Sequence, residues 1–224
     1  MGMELQVVLP DESPSMPTTN LVDLAERAEE LGYSSAWLPD HILPPGEYGT
    51  VFGGVYEPLV TIGYLAARTT TIRLGTSVLI APLRNPFVLA KQVATLQELS
   101  VGRIVLGVGI GWNKLEFEAV GARFERRGRS TDDALELLAH LFKGGEAPYR
   151  SGDISYNTGV FAPVPRAPIP IMIGGNSGAA LRRAARYADV WQGLPDSPTA
   201  FRERATTLSS LAVDRPVIAS VRID

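Results

Sequence analysis

Ile104-Val-Leu-Gly107-Val-Gly109-Ile-Gly111-Trp112 is an apolar run that ends in glycines. It is too short for a typical helix, and its continuous apolar character reads as a strand covered on both faces. The glycines first suggest the Gly-x-Gly-x-x-Gly turn that cradles a dinucleotide, but that pattern needs glycine at position 112, where this chain has Trp. What survives is a strand end where glycines let a flat ring or a backbone group approach closely, with Trp112 able to wall a pocket. A tight turn under a buried Trp is the competing reading, and the pattern alone leaves both open.

Outward from this stretch, short apolar runs alternate with helical patterns, as in parallel βα units. Seven strands are expected: Leu5–Leu9, Ser35–Leu38, Ile72–Ile80, Ile104–Val108, Ile169–Ile173, Asp189–Gln192 and Val217–Arg222. The first helix carries Leu21, Leu24, Ala25, Ala28 and Leu31 on one face, starts in the capping-competent Thr18-Thr19-Asn20 and stops at Gly32. Asn85-Pro86 opens another helix as N-cap and first-turn proline. Ser130 followed by Asp133 is expected to cap a helix over Thr131–Phe142, which Gly144-Gly145 ends. Residues 145–168, rich in Pro, Gly and Tyr, read as an inserted loop or hairpin. No repeat or second domain is visible, so residues 1–224 are expected to form one domain, either an open doubly wound sheet or a closed (β/α) barrel. Both place function beyond the carboxyl ends of the strands.

Composition narrows the chemistry. The 224 residues include no Cys and two His, His41 and His140, which excludes disulfides, thiolate metal sites and cysteine nucleophiles and leaves no basis for a histidine-rich metal centre. With 21 Lys+Arg against 24 Asp+Glu and no basic run, nucleic acid is not an expected partner. The N-terminal residues lack the pattern of a signal peptide, and no apolar stretch approaches the roughly 20 residues of a membrane helix. A cytoplasmic protein acting on a small molecule is the expectation.

Three segments carry candidate chemistry. Ile171-Met-Ile-Gly174-Gly175-Asn176-Ser177 leads into an amphipathic helix, so its backbone N–H groups, with Asn176 and Ser177, form a candidate phosphate cradle; a helix simply capped by Ser177 is the compatible structural reading. The same segment nearly matches a nucleophile elbow, but position 179 is Ala and no His follows Ser177, which disfavours an α/β-hydrolase. Asp40-His41 sits at a strand end before the Gly/Pro-rich stretch Ile42–Tyr56, a candidate lid, and places a proton donor near neutral pH beside a carboxylate, with a structural role in anchoring that loop as the competing reading. His140, flanked by Leu137, Leu138 and Leu141, reads as a packed or solvent-edge helix residue.

As an ordered set, Ile72-Arg-Leu-Gly-Thr-Ser-Val-Leu79, Arg84-Asn-Pro-Phe-Val-Leu-Ala-Lys91, Leu99 to Trp112, Asp40-His41 and Ile173-Gly-Gly-Asn-Ser177 resemble the luciferase-like monooxygenase superfamily, and most the branch that uses the deazaflavin coenzyme F420. The resemblance implies an α/β fold of TIM (β/α)8 type with an insertion around 145–168, and a homodimer. It implies a flavin-like ring at the barrel mouth, backed by Ser77-Val78 through a non-proline cis peptide. Asp40 would contact the ring, His41 would be catalytic, Ile80, Gly111 and Trp112 would line the ring pocket, and Gly174, Gly175, Asn176 and Ser177 would meet the phosphate. No metal site is implied.

Two departures qualify the resemblance. Sugar-phosphate dehydrogenases of the superfamily have a catalytic glutamate where this chain has Trp112, which disfavours sugar-phosphate oxidation. The eighth βα unit of the barrel is not expected within these residues, so two sheet edges should be open. The expected activity is hydride transfer from reduced F420 to a small organic substrate; an FMN-dependent monooxygenase and a noncatalytic flavin-binding protein are the alternatives.

Overall fold

The computed structural model describes residues 4–10, 17–44, 56–194 and 196–221. The elements in chain order are β1 (Gln6–Val8), α1 (Thr18–Glu30), β2 (Ser35–Leu38), α2 (Pro58–Arg68), β3 (Arg73–Thr76), β4 (Leu79–Ile80), α3 (Pro86–Leu99), β5 (Ile104–Gly109), α4 (Lys114–Ala119) and α5 (Arg127–Leu141). They continue with β6 (Tyr149–Ser151), β7 (Ile154–Tyr156), β8 (Ile171–Gly174), α6 (Gly178–Tyr187), β9 (Val190–Gly193), α7 (Pro198–Leu211) and β10 (Ile218–Val221).

The main sheet is parallel throughout, in the order β1-β2-β3-β5-β8-β9-β10, with β4 also paired to β5. It curls as a half-barrel of the TIM type, one of the two architectures the alternating pattern admits and the one the resemblance implied. β1 and β10 end the sheet, each paired on one side only among the described residues. Arg222, the last residue of the expected seventh strand, lies outside the described residues, as do positions 45–55 of the expected lid.

Two cores hold the sheet. The outer one lies between strands and helices and includes Leu74, Leu106 and Ile173 with Ile62, Leu89, Val93, Leu138 and Leu181. The inner one fills the lumen with Trp37, Val105 and Met172, joined by Val8, Val78 and Val190. Strands must be apolar on both faces to serve both cores, which is why β5 reads as an unbroken apolar run. Trp37 is 4% exposed, and burying an indole of this size contributes on the order of 5 kcal/mol.

Three expectations are corrected. The expected strand Ile72–Ile80 is two strands: Leu74 pairs Ile104 while Leu79 pairs Val108, so five steps along one strand oppose four along β5. One extra residue is accommodated at Ser77-Val78, which bulges there with a cis peptide bond, as the resemblance implied. The helix expected over Thr131–Phe142 starts at Arg127, directly from a 3₁₀ turn over Phe124–Arg126, so Ser130 lies in its first turn instead of capping it. The Arg127 guanidinium lies 3.8 Å over the Phe124 ring, and Thr131 Oγ1 donates to Arg127 O, so that start is fixed by contacts four residues before the expected one. The N-cap of α1 is Pro17, with no side-chain cap bond from the Thr-Thr-Asn run.

Asn85 caps α3 as expected, its Oδ1 accepting from Phe87 N at 3.0 Å and Val88 N at 3.2 Å. Gly144, at φ +74°, ends the helical run after α5. The 145–168 insertion contains the antiparallel β6–β7 hairpin, whose Tyr149, Ile154 and Tyr156 pack on the outer core. His140 stacks on Tyr149 at 4.4 Å and bonds Tyr156 Oη at 3.1 Å, the packed one of the two roles expected of it.

Candidate active site

The strand ends after β2, β3, β5, β8 and β9 converge on one mouth. β2 delivers Asp40 and His41, and the two behave differently. Asp40 is 4% exposed and fully engaged by the protein. Its Oδ2 accepts from Ile80 N at 2.7 Å and Arg84 Nη1 at 2.6 Å, and its Oδ1 from Arg84 Nη2 at 2.8 Å. Arg84 also bonds Glu57 at 3.0 Å. Burial alone would lower the Arg84 pKa, but the bonds to Asp40 and then Glu57 outweigh it and raise the pKa, keeping the guanidinium charged. Asp40 thus ties the β4 strand and the start of α3 to β2 through both of its carboxylate oxygens. Arg84 was quoted in the sequence without a role; only its distance to Asp40 supplies one.

His41 turns toward α4. Its Nδ1 lies 3.1 Å from Glu116 Oε2, and its ring meets Trp112 edge-on at 5.8 Å. Glu116 also accepts from the amides of Ile42 and Leu43. Trp112 is half exposed, so it walls the mouth beside His41 and is not a buried turn residue. Glu116 was missed in the sequence. Its signal was the spacing Asn113-x-x-Glu116 at a helix start, where Asn113 caps α4 through Leu115 N; nothing in that spacing shows that the carboxylate points inward.

The glycines at the strand ends accommodate the protein's own side chains. A Cβ at Gly109 would overlap Val78 Cγ2, and one at Gly174 would lie 2.8 Å from Val78 Cγ1. Val78 therefore plugs the lumen between β5 and β8, and its packing needs both positions bare. Gly111, at φ +74°, abuts Ile80 and Phe117 in the same way. The close approach expected at these glycines is real, but at Gly109, Gly111 and Gly174 it is made by side chains. Ser77 Oγ donates to Gln192 Oε1 at 2.8 Å across the lumen, which adds Gln192 to the floor of the mouth.

Beyond β8, Gly175 adopts φ +119°, a conformation that an L side chain rarely takes. Asn176 is spent on Leu194, accepting its N–H at 2.9 Å and donating to its carbonyl at 3.4 Å. Ser177 Oγ caps α6 through Ala180 N at 3.1 Å. What this segment can offer an anion is accordingly the backbone at the start of α6, with the side chains of Asn176 and Ser177 holding it in shape.

A cleft of about 500 Å³ is lined in part by Pro82, Arg84, Arg123, Arg126 and Ser130. Among the described residues no group of three or more His, Cys, Asp or Glu could hold a metal ion, and no helix is long and apolar enough to cross a membrane.

Residues 3–215 match the description of the luciferase-like monooxygenase family. The chain belongs to that family. It is 35% identical over 194 residues to an uncharacterised protein of Mycobacterium tuberculosis, covering 80% of this chain and 67% of that protein. It is 34% identical over 173 residues to the F420-dependent glucose-6-phosphate dehydrogenase of Kineococcus radiotolerans, covering 75% of this chain and 50% of that one. The chain thus spans about half the length of that dehydrogenase. Among solved structures, an F420-dependent secondary alcohol dehydrogenase in complex with an F420–acetone adduct superimposes with a TM-score of 0.82 at 20% identity, over 98% of this chain and 68% of that one. The monooxygenase RslO1 of Streptomyces bottropensis superimposes at 0.84 with 20% identity, over 98% of this chain and 69% of that one. These likenesses establish the fold and an oxidoreductase family.

Proposed function

We propose that this chain carries the active site of an F420-dependent oxidoreductase that reduces a small organic substrate, with His41 as the proton donor. The observation that carries the reading is the His41–Glu116 pair beside half-exposed Trp112, at a mouth floored by Val78. These residues fit a flat ring with an anionic tail. Val78 supplies an apolar floor, Trp112 a wall, and the start of α6 a set of backbone donors. The buried Asp40 carboxylate is neutralised by Arg84, so it does not repel an anion.

When bound, the reduced deazaflavin supplies a hydride from its C5 carbon. The protein's share is to hold the ring against Val78, exclude water and deliver a proton from His41 to the substrate atom that becomes negative. F420 is favoured over FMN because two relatives at 34% identity, from Kineococcus radiotolerans and Nakamurella multipartita, are F420-dependent dehydrogenases. Trp112 stands where the sugar-phosphate dehydrogenases have their catalytic glutamate, so the substrate proposed is not a sugar phosphate.

Fluorescence titration of the purified protein with F420 and, separately, with FMN tests the coenzyme. Binding of F420 with little or no binding of FMN is expected, and tight binding of FMN alone refutes the reading. Binding of neither removes the coenzyme site altogether. His41→Ala is expected to leave F420 affinity within about twofold while lowering turnover roughly 100-fold or more once a substrate is in hand; an unaltered rate takes His41 out of the mechanism.

A further inference from the structure

Glu116 is 1% exposed, within hydrogen-bonding reach of the proposed proton donor, and each of its other partners has a fixed role. The amides of Ile42 and Leu43 can only donate, and they meet Oε1 at 2.8 and 3.1 Å. Leu115 N–H donates to Asn113 Oδ1 at 3.2 Å, which turns the Asn113 amide nitrogen toward Glu116 Oε2 at 3.3 Å. Three donors therefore converge on the carboxylate before His41 is counted. The remaining contact, from Oε2 to His41 Nδ1 at 3.1 Å, is consistent with acceptance of a fourth proton.

We propose that Glu116 is a positioning residue that holds the neutral His41 imidazole as its Nδ1–H tautomer, so that Nε2 is the nitrogen that exchanges the transferred proton. In the delivery step the Nε2–H bond of the imidazolium breaks and the proton passes to the substrate. The neutral ring left behind keeps its Nδ1–H on Glu116 and is reprotonated at Nε2 from solvent. The same carboxylate fixes the chain direction at Ile42 and Leu43, so one buried group sets both the ring's place and its proton. This deepens the function proposed above and rests on His41 being its proton donor. A Glu116 that merely tied residues 41–43 to α4 would leave the two ring nitrogens without a preference set by it.

The chain has two histidines, so long-range ¹H–¹⁵N correlation spectra of ¹⁵N-labelled protein contain two imidazole patterns, and loss of one in His41→Gln assigns it. Titrated upward until the ring is neutral, wild-type His41 is expected to show the Nδ1–H pattern. In Glu116→Gln the amide oxygen retains the Ile42 and Leu43 donors while its NH₂ faces Nδ1, so the major tautomer should invert to Nε2–H. A wild-type Nε2–H pattern overturns the proposal, as does a Glu116→Gln protein with native circular dichroism whose His41 tautomer is unchanged. Should Glu116→Gln fail to fold, the wild-type spectrum still decides. The measurement needs no coenzyme. An Nδ1–H tautomer in a protein that binds neither F420 nor FMN keeps this inference and refutes the functional reading, whereas Nε2–H in a protein that binds F420 does the reverse.

Discussion

Replacing Asp40 by Asn separates a structural carboxylate from a coenzyme contact. In the folded protein both Asp40 oxygens are engaged by Arg84, whose side chain is 12% exposed, and Oδ2 also accepts from Ile80 N. Asn keeps the shape and one acceptor for Ile80 but removes the charge, leaving a buried guanidinium with Glu57 as its remaining acidic partner, itself 42% exposed and screened by solvent. Removing one partner of a buried pair costs about 3–5 kcal/mol, and the help from Glu57 places this case near the lower end, about 3 kcal/mol. For a chain of this size each kcal/mol moves the midpoint by roughly 2–4 °C, so Tm should fall by roughly 6–12 °C. The assay is thermal unfolding followed by circular dichroism for wild type, Asp40→Asn, Arg84→Met and the double variant. The double variant should be less unstable than the sum of the singles, with a coupling of about 2 kcal/mol. A fall below about 2 °C in Asp40→Asn, or strict additivity, would refute the reasoning. So would an unchanged Tm accompanied by weakened F420 binding, because Asp40 would then be serving the coenzyme and not Arg84.

Glu29 offers a test in pH. Burial pushes its pKa up, but the N–H groups of Ile72, Thr71 and Thr70 outweigh that and hold it at about 2, against an ordinary 4.5. Its contribution is therefore complete above pH 4.5 and lost as the pH falls from there through about 2. Allowing for solvent at a half-buried carboxylate, Glu29→Gln should cost about 1–2 kcal/mol at neutral pH. The gap from wild type should close toward pH 2 in urea unfolding; a gap independent of pH would contradict the assignment. Gly109→Ala should destabilise by about 1–3 kcal/mol through overlap with Val78. Adding Val78→Ala should recover part of that loss, and no recovery would show that Val78 is not what fills the space.

Much of the architecture was legible because periodicity is a local property. The apolar runs of β2, β5 and β8 and the Asn85-Pro86 start of α3 follow from side-chain chemistry within a few residues, and six of the seven strands lie where the pattern placed them. The bulge at Ser77-Val78 escaped the periodic reading, since a strand that gains one residue against its neighbour shows it only in the register; the resemblance alone pointed to that position. The start of α5 at Arg127 was hidden for a similar reason, being set by the 3₁₀ turn before it and not by the Ser130 side chain.

The site divides along the same line. The sequence by itself determined that the strand ends carry Asp40, His41, Trp112 and the glycine turn after β8, and that this chain has no thiol chemistry. Tertiary structure alone decided which partners each meets. Asp40 and Arg84 are 44 positions apart, and His41 and Glu116 are 75 apart. A carboxylate's role depends on which donors the fold brings to it across such distances, and no spacing rule reaches that far. The glycines make the same point in reverse: composition shows where space is left, but only packing shows that Val78 and Ile80 fill it.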